Sequence, residues 1–272
     1  MALDLPTHTL IAFNTATSSE NKIHDDEVAG ALGFGGGLVP GVDVYAYLCQ
    51  PAVARWGIEF LTRGRAATRF GTPTYDGQQI EIRSSIDDDG ILRAEVHPVA
   101  GNGAGAAAVL EASLADEPAT PPELAAAPRP APAERPPASP ESLAVGTVLG
   151  RFTFSSTAEQ QAAYLADIRD EASPVVGLGL VHPGALLRLA NTVLSQTVLL
   201  GPWIHVGSTV HNHAPVAVGE EIEVRGVVTG NTERKGHRFV DLDVVLLGPD
   251  GTPRTWVEHT AIYEPRQLRT DS

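Results

Sequence analysis

The feature that most constrains the fold of this chain is an internal repetition of one helix-and-strand pattern. A matching segment occurs in each half: Leu38-Val39-Pro40-Gly41 in the first and Val181-His182-Pro183-Gly184 in the second. Each begins a long apolar segment with helical spacing. Further matches keep a constant offset of 142, among them Ile80-Glu81-Ile82-Arg83 with Ile222-Glu223-Val224-Arg225. Proline at such a start, with free N–H groups behind it, is typical of a helix N-terminus. The sequence therefore predicts two copies of one unit.

Strand signals follow the helical segment in both halves. Apolar and polar residues alternate on both sides of Asp89-Gly90 in the first half and of Asp250-Gly251 in the second. Both helical segments are apolar on more than one face, so we expect each to be surrounded by other structure. A long helix followed by several antiparallel strands resembles the hotdog fold. We predict an α+β double hotdog, in which two repeats each wrap a curved antiparallel sheet around a long central helix.

A proline-rich segment separates the two halves. Residues 116–142 contain nine prolines, which remove backbone donors and favour extended, solvated conformations. We interpret this segment as a linker that acts as a spacer. It divides the chain into residues 1–115 and 143–272, each of ordinary domain size.

Composition excludes several classes of function. The 272 residues carry a net charge of −14 with no basic stripe, which argues against nucleic-acid binding. Cys49 is the only cysteine, so neither an intramolecular disulfide nor a cysteine-based metal site is available. The N-terminal residues lack the pattern of a signal peptide, and no apolar stretch reaches the length of a membrane span. We expect a cytoplasmic protein without a membrane partner.

The segment before the first Pro-Gly carries a family resemblance. It reads Asn21, Ile23, His24, Asp26, Gly33-Phe34 and then Leu38-Val39-Pro40-Gly41. This pattern resembles the MaoC-like family of R-specific enoyl-CoA hydratases and dehydratases, and the wider repeat is similar to its double-hotdog members. In that family a histidine and an aspartate five residues earlier act on a water molecule and on the α-carbon of the substrate. The backbone N–H of the helix-opening glycine holds the thioester oxygen.

The resemblance transfers to this chain only in part. His24 falls on the family's histidine and Gly41 on its oxyanion glycine, but the aspartate position is occupied by Ser19. Pro40 stands where the family usually has another histidine. Glu20 lies one position away with one more methylene group, and we expect it to reach the space of the missing aspartate. The predicted catalytic residues are therefore His24, Glu20 and Gly41.

The second half shows the opposite loss. Asp170 matches the aspartate position, because Tyr164 to Asp170 repeats the spacing of Phe13 to Ser19, but no Asn-x-Ile-His follows it. We therefore expect residues 1–115 to carry the site. Residues 143–272 are expected to be mainly structural and to shape the pocket for the acyl chain.

The resemblance also implies a set of substrate-binding residues and a partner. The substrate would be a thioester of coenzyme A or of acyl carrier protein, with no cofactor. Among the arginines after the first helix, two could pair with CoA phosphates, although a solvated basic turn explains them equally well. The predicted substrate-binding residues are Asn21, Asp26, Gly37, Val39, Pro40, Tyr45, Arg65 and Arg69.

A metal site has weaker support. His211 and His213 would share one face of a strand, a placement that suits a metal ion. No third ligand is spaced nearby, and a surface strand explains the pair as well. We predict no metal.

Three functions remain open at this point. The first is a lyase that adds water to a trans-2-enoyl thioester or removes it. The second is a hotdog thioesterase, which generally needs an acid on the central helix; residues 42–56 offer only Asp43, a first-turn acid favoured by the helix dipole. The third is a non-catalytic acyl-CoA-binding protein that kept the fold. A monomer that contains its own pseudo-dimer and a homodimer of such units are both compatible with the sequence.

Overall fold

The two helices predicted from the Pro-Gly signals pack against each other in a computed structural model that describes residues 2–100, 105–171 and 173–269. Their contact is close, because a Cβ added at Gly184 would lie 2.6 Å from Cβ of Ala46. In the described ranges no helix is both long and apolar enough to cross a membrane. The helices are α1 (Asp26–Ala31), α2 (Gly41–Trp56), α3 (Ile58–Arg63), α4 (Ala158–Asp167), α5 (Pro174–Leu178) and α6 (Pro183–Ser195).

The first long helix is enclosed by the rest of the molecule. Every residue of α2 from Val42 to Val53 is buried, including the polar Asp43 and Gln50. This confirms the expectation that a helix apolar on several faces is surrounded by other structure. The same core cluster continues into α6, so the two halves share one apolar interior.

The strands form one continuous antiparallel sheet. In order along the sheet they run β1-β4-β5-β6-β3-β8-β11-β10-β9-β7, and β2 also pairs with β4. The strands of the first half are β1 (Leu3–Asp4), β2 (His8–Ile11), β3 (Gly64–Phe70), β4 (Gln79–Ile86), β5 (Leu92–Pro98) and β6 (Ala108–Leu114). Those of the second half are β7 (Phe152–Phe154), β8 (Ile204–Asn212), β9 (Ile222–Arg234), β10 (His237–Leu247) and β11 (Pro253–Glu264).

The two halves meet at the pairing of β3 with β8. Outward from this seam the strand order is β3-β6-β5-β4 on one side and β8-β11-β10-β9 on the other. The backbones come so close here that a Cβ at Gly207 would lie 2.8 Å from the carbonyl oxygen of Thr68. Both Asp-Gly turns lie where the alternation predicted them, with positive φ at Gly90 and Gly251. Such a φ favours glycine because it has no Cβ.

The proline-rich segment follows a defined path over the second half. Residues 116–142 contain only isolated bridges and one 3₁₀ turn, as their composition predicts. Their backbone is nevertheless anchored: the Ala138 N–H donates to Leu199 O at 2.9 Å, and the Arg151 N–H donates to Ala127 O at 2.9 Å. The segment is therefore more than a spacer, because it covers the C-terminal end of α6.

Candidate functional site

His24 lies at the end of a short 3₁₀ turn that positions its ring. Asn21 precedes this turn and caps it, with its side-chain oxygen accepting the Ile23 N–H at 3.3 Å. The Nδ1 atom of His24 lies 2.7 Å from the Leu38 carbonyl oxygen, so Nδ1 must carry the proton. In the neutral ring Nε2 is then an acceptor, and it lies 3.5 Å from the Asn21 amide nitrogen.

The surroundings of His24 favour its neutral form. Burial lowers the pKa of His24 below its ordinary value of 6.5, and the hydrogen bond to Leu38 and the charge of Asp43 partly offset this effect. The charge of Arg188 adds to the lowering. At neutral pH the ring can therefore accept a proton, as a general base must.

Two of the predicted substrate-binding residues instead hold the loop that carries His24. Asp26 accepts the Gly37 N–H at 2.7 Å, which closes the loop onto itself. A Cβ at Gly37 would lie 2.3 Å from the backbone oxygen of His24, so this position allows close backbone contact within the loop. The structure thus gives Asp26 and Gly37 framing roles around the histidine.

The N-terminus of α2 opens beside this histidine. Pro40 caps the helix without any side-chain hydrogen bond, while the N–H groups of Asp43 and Val44 both donate to Pro40 O. The N–H groups of Gly41 and Val42 lie too early in the helix to have an intrahelical acceptor. Gly41 is also in contact with a second imidazole, since a Cβ there would lie 2.9 Å from Nδ1 of His205. A free helix N-terminus is suited to binding a negatively charged or partly charged oxygen.

A cavity of about 220 Å³ connects these groups. Its polar lining includes Asn21, His24, Thr72, Thr74, Asn191 and His205. Its apolar lining includes Phe34, Leu38, Val39, Phe70, Trp203, Ile204 and Ile262. Both halves of the chain therefore build this cavity.

Asn21 ties the two halves together at the cavity. Its amide nitrogen donates to Trp203 O at 3.0 Å, and its side-chain oxygen accepts the Trp203 N–H at 3.2 Å. Both residues are buried. This reciprocal pair fixes the His24 loop against the start of β8, so the spacing across the cavity is set by a hydrogen-bonded contact.

A larger, more polar cavity of about 750 Å³ adjoins the first. Asn21, His24 and Pro40 line both cavities, so His24 stands at their junction. The proline-rich segment forms one wall of the larger cavity, and α6 forms another. The polar cavity is lined by Ser19, Glu20, Arg129, Glu134, Arg135, Arg188, Asn191 and Thr192, among others.

The structure does not bring Glu20 into contact with His24. The Glu20 side chain is 79% exposed, and its carboxylate pairs with Arg135 of the proline-rich segment at 3.1 Å. Ser19, at the position of the family's aspartate, accepts the Asn21 N–H with its hydroxyl oxygen at 3.1 Å. The ring nitrogens of His24 contact a carbonyl oxygen and an amide, and among the residues that the structure describes neither nitrogen bonds to a carboxylate.

A buried ion pair lies behind His24 and joins the two long helices. Asp43 of α2 is fully buried and pairs directly with Arg188 of α6. Thr15 donates to Asp43 Oδ2 at 2.6 Å and accepts from Arg188 at 2.9 Å. The charge of Asp43 is thus compensated within the protein. No local sequence pattern predicts this partner, because 145 residues separate the two.

The remaining predicted substrate-binding residues divide between the cavity and other surroundings. Val39 and Pro40 line the smaller cavity. Tyr45 is fully buried in the shared core and is not among the lining residues of either cavity. Arg65 and Arg69 are exposed on one face of β3, just before Phe70, which lines the cavity.

Of the two histidines considered for a metal, His211 has other partners. His211 stacks on Trp256 with ring centroids 4.4 Å apart, and its Nε2 lies 3.1 Å from Glu258. In the part of the chain that the structure describes, no group of three or more His, Cys, Asp or Glu side chains is arranged to hold a metal ion. The position of His211 is therefore explained by its contacts with Trp256 and Glu258 on the sheet.

Comparisons with known proteins identify the fold. No family model matches the chain, and no curated protein matches its sequence. A protein of Chloroflexus aurantiacus described as a MaoC domain dehydratase is 11% identical with a TM-score of 0.65, covering 97% of this chain and 95% of its own. A double hotdog protein of Mycobacterium tuberculosis is 13% identical with a TM-score of 0.66, covering 96% and 95%. A protein of Lactobacillus plantarum described as an oleoyl thioesterase is 10% identical with a TM-score of 0.52, covering 97% of both chains.

At such identities the likeness concerns the fold alone. Proteins described as dehydratases and as thioesterases share this architecture, so it does not distinguish between the two chemistries. The chain has a double hotdog fold, and its activity must be argued from the residues around His24.

Proposed function

We propose that this protein is an acyl-thioester hydratase or dehydratase, which adds water reversibly to a trans-2-enoyl-CoA or a related thioester. One observation carries the proposal: a neutral imidazole and a free helix N-terminus line the same cavity. Proton transfer next to a thioester carbonyl needs a base and a place for developing charge on oxygen. The likeness to a protein described as a MaoC domain dehydratase is consistent with this proposal.

In the proposed reaction His24 carries out both proton transfers, first from water and then to the substrate. Its Nε2 takes a proton from water while the hydroxyl oxygen bonds to Cβ of the substrate, and the double-bond electrons move toward the thioester oxygen. The Gly41 N–H donates to that oxygen and stabilises the enolate. The imidazolium then returns the proton to Cα, so that one water molecule has been added across the double bond.

The two cavities suggest how the substrate lies. The smaller, largely apolar cavity would take the enoyl group, and the CoA or carrier-protein arm would leave past Arg65 and Arg69.

We further propose that residues 1–115 and 143–272 are two hotdog repeats forming an internal pseudo-dimer, either as a monomer or as a homodimer of such units. A single, buried cysteine and CoA-linked chemistry fit a cytoplasmic location.

A specific observation favours a second candidate, a non-catalytic acyl-CoA-binding protein. The family's aspartate is Ser19, whose hydroxyl accepts a backbone N–H, and Glu20 points to Arg135. Each general acid or base contributes roughly 10²–10⁴-fold to a rate, so the absence of a carboxylate at His24 weakens catalysis. Ser19→Asp tests this point: a variant that gains turnover over an inactive wild type would assign the natural chain to binding.

A thioesterase has less support. Hotdog thioesterases generally use an acid on the central helix to direct water, and Asp43 is the acid available on α2. That carboxylate is fully buried and paired with Arg188. Release of free CoA from a saturated acyl-CoA would favour this reading against the present proposal.

The test of the proposed function is the loss of enoyl absorbance when purified protein is incubated with short and medium trans-2-enoyl-CoAs. We expect turnover by the wild type and a loss of at least about 100-fold in His24→Ala. His97→Ala is a matched control, because that imidazole pairs with Glu95 on the sheet away from the cavity. Wild-type turnover that His24→Ala leaves unchanged would contradict the site.

A further inference from the structure

The cavity is lined by a second histidine, one of whose ring nitrogens has no hydrogen-bond partner among the described residues. His205 lies on β8 and is only 6% exposed, yet it lines the cavity together with His24 and Gly41. Its Nδ1 is buried and makes no hydrogen bond. A buried polar atom without a partner costs about 1–3 kcal/mol, so its presence at a cavity calls for a ligand.

The position of this nitrogen relates it to the start of α2. A Cβ at Gly41 would lie 2.9 Å from Nδ1 of His205. Cα–Cβ bonds in a helix tilt toward the N-terminus, which is also the direction in which the first N–H groups point. His205 Nδ1 therefore packs beside the first residue of α2, and both residues lie in the wall of the cavity.

The other side of the His205 ring is held by a hydrogen-bonded chain. Nε2 lies 2.8 Å from the Ser208 hydroxyl oxygen, which lies 2.9 Å from Nδ1 of His259. Ser208 and His259 are directly opposite each other in the pairing of β8 with β11. The edge of Phe70 packs against the His205 ring at 4.8 Å between centroids. The ring is thus fixed in orientation by two central strands and an aromatic contact.

The Ser208 hydroxyl decides which His205 nitrogen carries the proton. Burial, and to a lesser extent the nearby His259, lower the pKa of His205 well below 6.5; the Gly207 backbone near the ring opposes this, although the two are not aligned as a hydrogen bond. The ring is therefore neutral and has one N–H. If Ser208 donates to Nε2, then Nδ1 carries the proton, and Ser208 accepts from His259. The reverse direction would leave Nδ1 an acceptor.

We propose that His205 donates a hydrogen bond from Nδ1 to the thioester oxygen of the substrate, as the second donor beside the Gly41 N–H. A thioester or enolate oxygen only accepts hydrogen bonds, so it selects the arrangement with the proton on Nδ1. Two donors at one oxygen form an oxyanion hole that stabilises the enolate. The inference rests on the proposed function for its chemistry, and on the cavity geometry alone for the contact.

Two amide substitutions separate this role from a structural one. The amide nitrogen of Asn in His205→Asn lies two bonds from Cβ, as Nδ1 does, and keeps the donor to substrate. The amide of His205→Gln reaches the position of Nε2 and keeps the contact with Ser208. The proposal predicts that His205→Asn retains more activity than His205→Gln. A ring that serves only to hold Ser208 would give the opposite ranking.

The kinetic experiment uses trans-2-butenoyl-CoA with the full-length protein. We expect His205→Gln and His205→Phe to lose about 10²–10³-fold in kcat with little change in KM, as is typical when one oxyanion donor is removed. His205→Asn should stay within about tenfold of wild type, because it keeps a donor at the same position. Full kcat in His205→Phe, or higher activity in Gln than in Asn, would overturn the proposal. Thermal unfolding of each variant, measured in parallel, identifies any loss due to unfolding.

A second readout does not depend on turnover. The protein is labelled with ¹⁵N-histidine and bound to butanoyl-CoA. This ligand has the thioester oxygen but no double bond, so it cannot be hydrated. We expect the His205 Nδ1 resonance, assigned by its absence in His205→Asn, to be of the protonated type and to shift on saturation. An unprotonated or unshifted Nδ1 in the complex would refute the contact. If the wild type fails to hydrate enoyl-CoA but this shift appears, the proposed function falls while the His205 contact stands.

Discussion

The two long helices begin at the same Pro-Gly signal, but the surroundings of their N-termini differ. At Gly41 the helix opens into a cavity shared with two imidazoles. At Gly184 the N–H donates to Nδ1 of His182 at 3.1 Å, and a Cβ would lie 2.4 Å from the Tyr164 hydroxyl. One helix end is left free for a ligand, and the other is satisfied within the protein.

The two helix starts also differ in which parts of a catalytic site they contain: a histidine–carboxylate pair at one, and a histidine with a cavity at the other. The closed end holds a histidine near a carboxylate: His182 Nε2 and Asp170 Oδ2 lie 3.3 Å apart, although not in the alignment of a hydrogen bond. His182 is completely buried and lines neither of the two cavities described above. The open end has a cavity and His24, whose ring nitrogens bond to no carboxylate in the described part of the chain. Access, rather than the presence of a His–Asp pair, distinguishes the half with a candidate site.

The first prediction tests the functional difference between the two helix N-termini by adding one methyl group at each. In Gly41→Ala the methyl would meet His205 Nδ1 and fill the space proposed for the thioester oxygen, so we expect a loss of about 10²–10³-fold in kcat/KM. The measurement is the hydration rate with trans-2-butenoyl-CoA.

Gly184→Ala is the matched control for that change. Its methyl would collide with Tyr164 and Ala46, so we expect a loss of about 1–3 kcal/mol in unfolding free energy with kcat/KM preserved in the folded fraction. Equal loss of activity in both variants at equal stability would mean that the two ends do not differ in function.

The second prediction concerns the ion pair that links the two helices. Arg188→Met removes the charged partner of the fully buried Asp43 and leaves the hydrogen bond from Thr15, so we expect a loss of about 3 kcal/mol in unfolding free energy. Asp43→Asn should cost less, because the Arg188 side chain is 33% exposed and water can compensate its charge. Urea unfolding of both variants measures the difference. A larger loss in Asp43→Asn would show that the arginine is the more poorly solvated partner.

How much of the structure could be predicted from the sequence depends on how far apart in the chain the interacting residues lie. Alternation, Asp-Gly turns and the Pro-Gly starts are local signals, and they placed both helices and the strands around each turn. His205 was missed because its partner Gly41 lies across the β3–β8 seam, and a single imidazole in an apolar strand resembles an ordinary core residue. The expected reach of Glu20 toward His24 depended on Arg135, which lies 115 residues away. Composition predicted an irregular segment after residue 116 but could not indicate what it covers.

The third prediction uses pH to distinguish the buried imidazoles near the open end from exposed ones. Burial lowers the pKa of His259 from 6.5 to about 3, so the folded state binds fewer protons than the unfolded state below pH 6.5. Its stabilising contribution is complete above about pH 6.5 and is lost progressively as pH falls toward 3. Between pH 7 and pH 5 this group alone should lower the unfolding free energy by about 2 kcal/mol.

The measurement is the pH dependence of denaturant unfolding. His259→Phe should reduce the slope over this range, whereas His8→Gln should leave it unchanged, because His8 is exposed on β2. An unchanged slope in His259→Phe would mean that His259 binds a proton equally well in the folded and the unfolded protein, so that burial does not depress its pKa.

The smallest expected effect concerns the carboxylate that the sequence placed at the open end. The Glu20 side chain is 79% exposed and pairs with Arg135, whose side chain is 13% exposed and also donates to Ser195 O at 2.8 Å. Because the Glu20 carboxylate is itself solvated and does not contact His24, Glu20→Gln should change kcat by less than about threefold. Arg135→Gln should have an equally small effect on kcat if the pair is only a surface contact. A loss of 100-fold or more in Glu20→Gln alone would mean that substrate binding draws this carboxylate away from Arg135 to His24. The open end would then complete its histidine–carboxylate pair only in the complex, while the closed end holds its pair permanently.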